Sequence, residues 1–203
     1  MRKQIFTAVL YTIVTTLLLG IAYPLGITVL AHFLMPQQAN GELITKDGVL
    51  VGSKLIGQTF TGAGYFQGRP SSAGSGYDAA NSSGSNLGPT NATLIARVQQ
   101  SVQSWQASRG KSVDARADVP VDLVTTSASG LDPDITIAAA EYQVPLVARA
   151  RGLSETSVQN LVQAHTMPRQ FGALGEPRVN VLELNLALDR MSANAKTPTT
   201  VSR

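Results

Sequence analysis

The sequence contains no cysteine. Disulfide staples, thiolate nucleophiles and cysteine-ligated zinc are thereby excluded. Histidine is nearly as scarce: there are two, His32 inside an apolar run and His165. One histidine outside that run cannot build a His-based metal cluster, which leaves only an all-oxygen site. No G-x-S-x-G segment occurs, so His165 has no recognisable nucleophile to serve and reads as an ordinary surface residue near a helix end. Aromatic residues are 5% of the chain against 43% hydrophobic residues in all, so a core must be packed from Val, Leu, Ile and Ala rather than from rings. Charge is missing from one long stretch. Between Ile5 and Leu34 there is no Asp, Glu, Lys or Arg.

That stretch reads as a transmembrane helix running from Ile5 through Leu19 and Pro24 to Leu34. As a helix it reaches about 45 Å, enough to cross a hydrocarbon layer of about 30 Å. Pro24 lacks the N–H that bonds back one turn and is expected to kink or interrupt it. Ala22 and Gly26 form a small-xxx-small pair of low specificity. Arg2 and Lys3 precede the run, and the first charges after it are Glu42, Lys46 and Asp47. The positive-inside rule then places the N-terminus in the cytoplasm and the rest outside, with the membrane crossed once. A cleaved signal peptide is the rival, because Gly20-Ile21-Ala22 imitates a small-x-small cleavage site; the continuation of the apolar run to Leu34 argues against it. The expected division is residues 1–35 as cytoplasmic N-terminus and membrane helix, 36–192 as an extracytoplasmic α+β domain, and 193–203 as a disordered tail.

The net charge of +3 and pI near 9.4 suggest a polyanion partner only at first sight. Without Arg2 and Lys3, 14 basic residues face 13 acidic ones. No basic run or stripe stands out, so no nucleic-acid partner is expected.

Leu43-Ile44-Thr45 and Val49-Leu50-Val51 flank Lys46-Asp47-Gly48, and Asp-Gly between apolar runs predicts a β-hairpin. From Gly62 to Asn91 the chain is rich in Gly, Ser and Asn, as a linker would be. Tyr65, Phe66, Tyr77 and Leu87 interrupt it, which favours an ordered irregular loop pinned by large side chains. Thr90 or Asn91 is a candidate N-cap for a helix carrying Leu94, Val98, Val102 and Trp105 and ending at Gly110, with Trp105 in the core. A polar surface turn is expected over Lys111 to Asp118 and a short strand over Val119 to Val124. Ser129-Gly130-Leu131-Asp132-Pro133 has turn chemistry. A helix is expected from about Ile135, broken or kinked at Pro145 and closed by Gly152. Ser154 caps another helix bearing Val158, Leu161 and Val162. Val179 and Val181 alternate as a strand would, and Leu184 to Leu188 leads into a last helix that frays after Ser192. Short strands mixed with helices give an α+β class.

Motifs of catalysis or ligand binding fail on their surroundings. Gly110-Lys111-Ser112 has Trp105 where the first glycine of a phosphate loop belongs. Gly74-Ser75-Gly76-Tyr77-Asp78-Ala79 follows no strand, so a dinucleotide site is not expected. Asn81-Ser82-Ser83 and Asn91-Ala92-Thr93 match a common glycosylation pattern that matters only in a eukaryotic secretory route. Asp132 and Asp134 flank Pro133, where a turn or helix cap is the ordinary role. The residues alone therefore describe an anchored, non-enzymatic domain.

Four dense segments remain without catalytic logic. They are Tyr65-Phe66-Gln67-Gly68-Arg69-Pro70-Ser71, Asn86 to Asn91 (Asn-Leu-Gly-Pro-Thr-Asn), Ser129 to Asp134, and Gly172 to Leu182. Together with Ala148-Arg149-Ala150-Arg151-Gly152 and one preceding span, they closely resemble the KdpC family, the C subunit of bacterial potassium-transporting P-type ATPases. The resemblance covers nearly the whole chain. Asp134 stands where the family often has His, Thr136-Ile137 where Ser-Pro is usual, and Met167-Pro168 where an acidic-Gly pair is usual; these departures are expected to touch local turns only.

The resemblance implies an accessory subunit that assembles or stabilises an ATP-driven potassium importer and acts as a catalytic chaperone for ATP use. It implies a channel-like partner for the ion and a P-type partner that hydrolyses ATP. This chain has neither an Asp-Lys-Thr-Gly-Thr phosphorylation motif nor a Thr-Val-Gly-Tyr-Gly filter, so it is neither partner. No cofactor or metal is expected on it, ATP and potassium being handled by the partners. Arg149, Arg151, Glu176, Arg178 and Asp132 are the candidate interface residues, with mutual pairing of the first four inside the domain as the alternative and a turn or cap role as that for Asp132. The competing function is a membrane-anchored extracytoplasmic binding or sensor module.

Overall fold

A computed structural model of the chain describes residues 1–109 and 118–196. Gly110, the Gly110-Lys111-Ser112 segment, the expected turn as far as residue 117 and the tail from residue 197 lie outside the described residues. The chain divides into two compact units, Met1–Ser53 and Lys54 onward.

The first unit begins with α1 (Arg2–Leu34), 33 residues long and apolar enough to cross a membrane, with no buried residue along it. Pro24 does not break it. A π-turn over Leu18–Ala22 absorbs the missing donor: the Tyr23 N–H reaches back five residues to the Leu18 carbonyl, and the helix resumes. Four of the threonine hydroxyls along α1 are paired within the helix itself. Thr7, Thr12, Thr15 and Thr28 donate to the carbonyls of Lys3, Ala8, Tyr11 and Pro24 at 2.8–2.9 Å. A short α2 (Pro36–Ala39) follows. Then β1 (Leu43–Lys46) and β2 (Val49–Ser53) form the expected hairpin, with Lys46 opposite Val49. Asp47 and Gly48 both sit at positive φ (53° and 79°), as a two-residue turn matched to strand twist demands.

The second unit opens with irregular chain and then α3 (Ala92–Arg109). Asn91 is its cap: the side-chain oxygen accepts from the N–H groups of Thr93 and Leu94. Leu94, Val98, Val102 and Trp105 are half-buried along one face, and Trp105 packs against the core as expected. The strand expected over Val119 to Val124 is instead a 3₁₀ turn, Val121–Leu123. Pro120 supplies no ladder donor, and Asp122 turns inward to accept the Thr136 N–H at 2.7 Å.

The region expected to be helix from Ile135 begins with a strand, β3 (Asp134–Thr136), and α4 runs over Ile137–Arg151. Thr136 caps α4, which continues through Pro145 without a break and ends at Gly152 in the left-handed region. The carbonyl freed by Pro145 belongs to Glu141, an exposed residue that water can serve. Ser154 caps α5 (Glu155–Ala164) as predicted, with Val158 and Val162 fully buried. Two-residue β4 (Thr166–Met167) and β5 (Arg178–Asn180) complete an antiparallel sheet of order β3-β5-β4. Ile135 and Thr166 both stand opposite Val179. The strand ends at Asn180 rather than Val181, because the Asn180 side-chain oxygen accepts the Glu183 N–H and starts α6 (Val181–Lys196). α6 continues past Ser192, the point where fraying was expected.

The core is aliphatic, as the composition requires: Leu123, Ile135, Val147, Val158, Val162, Val179, Leu184 and Leu188 form one cluster. Its one large ring with no exposure at all is Phe66, delivered by the Gly- and Ser-rich segment. Burying a side chain of that size stabilises by about 1.5–3 kcal/mol. The mixed helix-and-sheet class is as predicted.

Candidate interaction surface

The conspicuous segments of the second unit hold an irregular loop in one shape. Its backbone at Phe66 and Gln67 has no strand beside it. Two buried amides take a strand's place. Asn185 on α6 accepts the Phe66 N–H and donates to the Phe66 carbonyl, both at 2.9 Å. Gln143 on α4 accepts the Gln67 N–H at 2.7 Å and donates to the Gln67 and Ala139 carbonyls. Each amide has a donor and an acceptor on adjacent atoms, the pattern a peptide presents.

Farther along the loop, Ser71 accepts from the N–H groups of Ala73 and Tyr77 and donates to the Gly130 carbonyl. Gly130 has φ +68°, and a Cβ there would lie 2.5 Å from the Ser83 carbonyl oxygen. The Tyr77 hydroxyl donates to the Arg69 carbonyl. Burial, and next the charge of Asp132, push the Tyr77 phenol above its ordinary pKa.

No ion pair or hydrogen bond joins one of the five candidate interface residues to another; each engages other residues of the domain. Asp132 accepts from Arg69 at 3.2 Å and, through its other oxygen, from the Asp134 N–H, the expected turn role. Arg151 donates to Asp189 at 2.9 Å and to the Gly64 carbonyl at 2.7 Å while lying over the Tyr65 ring. Arg149 is exposed and reaches the Ser108 carbonyl. Arg178 pairs with Asp134 at 2.8 Å. Glu176 holds Arg169 through both oxygens, at 2.9 and 2.7 Å.

Asp134 also accepts from Asn180, yet burial outweighs that bond and the Arg178 charge and raises its pKa. Of the positions noted as departures, Asp134 and Thr136 lie on β3 and Met167 on β4, whereas Ile137 opens α4 and Pro168 follows β4. Among the described residues no three metal-ligating side chains come together.

Sequence reasoning missed Gln143, Asn185 and Arg109. Arg109 is buried at the end of α3, stacks 4.2 Å over the Tyr142 ring and donates to the Tyr142 carbonyl. No periodic signal marks a buried arginine; its only clue is its place at the end of a helical stripe.

A polar cleft of about 610 Å³ opens between the loop and α3, lined by Gln58, Ser71, Ser75, Gln100, Ser104 and Trp105 among others. A second feature projects outward. Gln170 and Leu174 exchange two backbone hydrogen bonds of 2.9 Å and close a tight turn over Phe171-Gly172-Ala173. At its tip Phe171 is 87% exposed and Leu174 59% exposed.

Residues 5–190 match a family model described as the K+-transporting ATPase, c chain. The potassium-transporting ATPase KdpC subunit of Acidobacterium capsulatum is 58% identical over 185 residues, covering 91% of this chain and 97% of its own. That of Koribacter versatilis is 57% identical over 190 residues, with 93% and 95% covered. That of Mycobacterium tuberculosis is 50% identical over 191 residues, with 94% and 100% covered.

Proposed function

The chain belongs to the KdpC family of potassium-transporting ATPase subunits, and from that premise we propose that it is a non-catalytic accessory subunit that holds the transport complex together from outside the cytoplasm. Its partners on this reading are a channel-like subunit carrying potassium and a P-type subunit hydrolysing ATP, in the bacterial inner membrane. α1 crosses the bilayer once, with Arg2 and Lys3 inside. The observation that carries the reading is the use made of the family-patterned charges. Arg69, Arg151, Arg178 and Glu176 each engage a partner within the domain: Arg69 joins two irregular segments through Asp132, Arg151 ties α4 to α6 and to the loop at Gly64, Arg178 links β5 to β3 through Asp134, and Glu176 closes its own loop on Arg169. Groups held in that way supply shape, not acid–base chemistry.

A domain outside the cytoplasm cannot touch cytoplasmic ATP. It affects ATP use by binding one conformation of the pump more tightly than another, a coupling limited by that difference in affinity. The complex should be isolated from membranes with the full chain and with a chain ending after Met35. Loss of the complex with the shortened chain is expected; an intact, fully active complex would sink the proposal. Orientation is tested separately with the single cysteine Gln106→Cys, at an exposed position on α3. Labelling of intact cells by an impermeant thiol reagent is expected, and labelling only after lysis would place the domain inside. The competing sensor or binding module would purify alone, without membrane partners.

A further inference from the structure

We infer that Phe171, presented by the turn between Arg169 and Glu176, is an apolar anchor for a pocket on another membrane-embedded protein of the same transport complex. The inference rests on the accessory-subunit reading and names the contact through which that subunit would grip its partner.

Phe171 departs from two preferences at once. It is a large ring left 87% exposed, with Leu174 exposed close behind it. It also occupies φ +54°, followed by Gly172 at φ +74°. Two consecutive positive φ values at the centre of a tight turn ordinarily call for Asn, Asp or Gly first, because a bulky side chain is unfavourable there. At 87% exposure the ring buries little surface within the domain.

The turn is nonetheless well fastened. The paired backbone bonds between Gln170 and Leu174 close it, the Gly172 N–H donates to the Arg169 carbonyl, and Arg169 and Glu176 clamp its base. A rigid, protruding aromatic loses little conformational freedom on docking, which is what an interface anchor requires.

The charges around it select the kind of partner. Lipid-binding tips set free Lys or Arg beside their apolar residues, to meet anionic headgroups. Here Arg169 is neutralised by Glu176, and the nearby Arg178 by Asp134. A neutral tip fits an apolar protein pocket better than an anionic bilayer. Size limits the partner further. One aromatic and one leucine bury about 150–250 Å² and somewhat more, far below the roughly 800 Å² per side of a stable interface. The turn therefore cannot by itself hold a second copy or a soluble protein. It can add to an association that α1 already brings about within the bilayer, since two contacts on one chain reinforce each other through effective concentration.

The test uses the full chain in the assembled complex, with a photo-crosslinking phenylalanine analogue at position 171. Irradiation is expected to join the chain to one integral membrane subunit. F171D should lower recovery of the chain with that subunit about tenfold or more, whereas F171L should restore most of it, and neither should lower the thermal midpoint of the isolated chain, Asp being better suited than Phe to the positive φ. Crosslinks to lipid alone or to a second copy, or full recovery with F171D, would overturn the inference and leave the accessory-subunit reading standing. A wild-type chain that brings down no membrane subunit would overturn both.

Discussion

Asn185→Ala tests whether the amide cradle seats the loop. The substitution removes the acceptor for the Phe66 N–H and the donor to the Phe66 carbonyl, each bonded at 2.9 Å. Phe66 has no exposure and Asn185 only 2%, so water cannot replace either bond without opening the core. An orphaned buried polar group costs about 1–3 kcal/mol, so two of them give a loss of about 2–6 kcal/mol. That is a large share of the 5–15 kcal/mol typical of a whole domain. Gln143→Ala should cost less, about 1–2 kcal/mol, because Gln67 is half-buried and its freed groups can reach solvent. The double variant should lose less than the two single losses together, since both amides hold one stretch of backbone. Urea unfolding of the full chain in detergent, followed by the fluorescence of the single tryptophan, Trp105, reads all three. Exposed Gln106→Ala is the control and should shift stability by no more than about 0.5 kcal/mol. A loss below about 1 kcal/mol for Asn185→Ala, or a larger loss for Gln143→Ala, would refute the reasoning.

Arg151→Lys should destabilise by about 1–2 kcal/mol although charge is kept, because an ammonium cannot at once bond the Gly64 carbonyl, pair with Asp189 and lie flat on Tyr65; a double-mutant cycle with Asp189→Asn measures how much of this is the ion pair. Tyr77→Phe should cost about 0.5–1.5 kcal/mol at neutral pH by removing the bond to the Arg69 carbonyl. It should also change the alkaline limb. With the folded pKa raised, the stability Tyr77 contributes is complete below about pH 10 and is lost as pH rises through the folded value. The wild type should therefore lose stability above about pH 10 more steeply than Tyr77→Phe, and equal slopes would contradict the burial argument. Asp134 gives a test of the same sign on the acid side. Its raised pKa means that the ionised carboxylate is disfavoured in the fold, so its contribution improves as pH falls through the folded value toward the ordinary one. Asp134→Asn should flatten that acid-side trend in a pH series of urea unfolding. Gly130→Ala should be among the most disruptive single-methyl additions, since the new Cβ meets backbone atoms of Ser83 and Ala73 at 2.5 and 2.7 Å and the residue sits at positive φ; an unchanged unfolding midpoint would show that the loop can shift to admit it.

Features governed by neighbours within a turn of chain were legible in advance. The uncharged run from Ile5 to Leu34 determined a helix long enough to span a membrane. Asp47-Gly48 determined the hairpin, Asn91 and Ser154 two helix starts, and Gly152 a helix end. Each of these signals works through a dihedral preference or a hydrogen bond spanning no more than four residues. The segments quoted for the family resemblance were likewise plain in the sequence, and residues 5–190 match that family.

Only tertiary structure decided the rest. Strands of two or three residues, β3, β4 and β5, are too short for alternation to show, and Val119 to Val124 looked like a strand until Asp122 turned inward to Thr136. Phe66 and Asn185 lie 119 residues apart, so no local pattern could reveal that an amide on the last helix would pair the backbone of a glycine-rich loop. The charged partners followed the same rule. Arg151 chose Asp189, Arg178 chose Asp134 and Asp132 chose Arg69 because the sheet and helices brought those groups within reach, whereas sequence could state only that such charges needed partners. A sequence sets which groups must be satisfied; the packing of distant segments sets which groups satisfy them, and which ring, here Phe171, is left exposed.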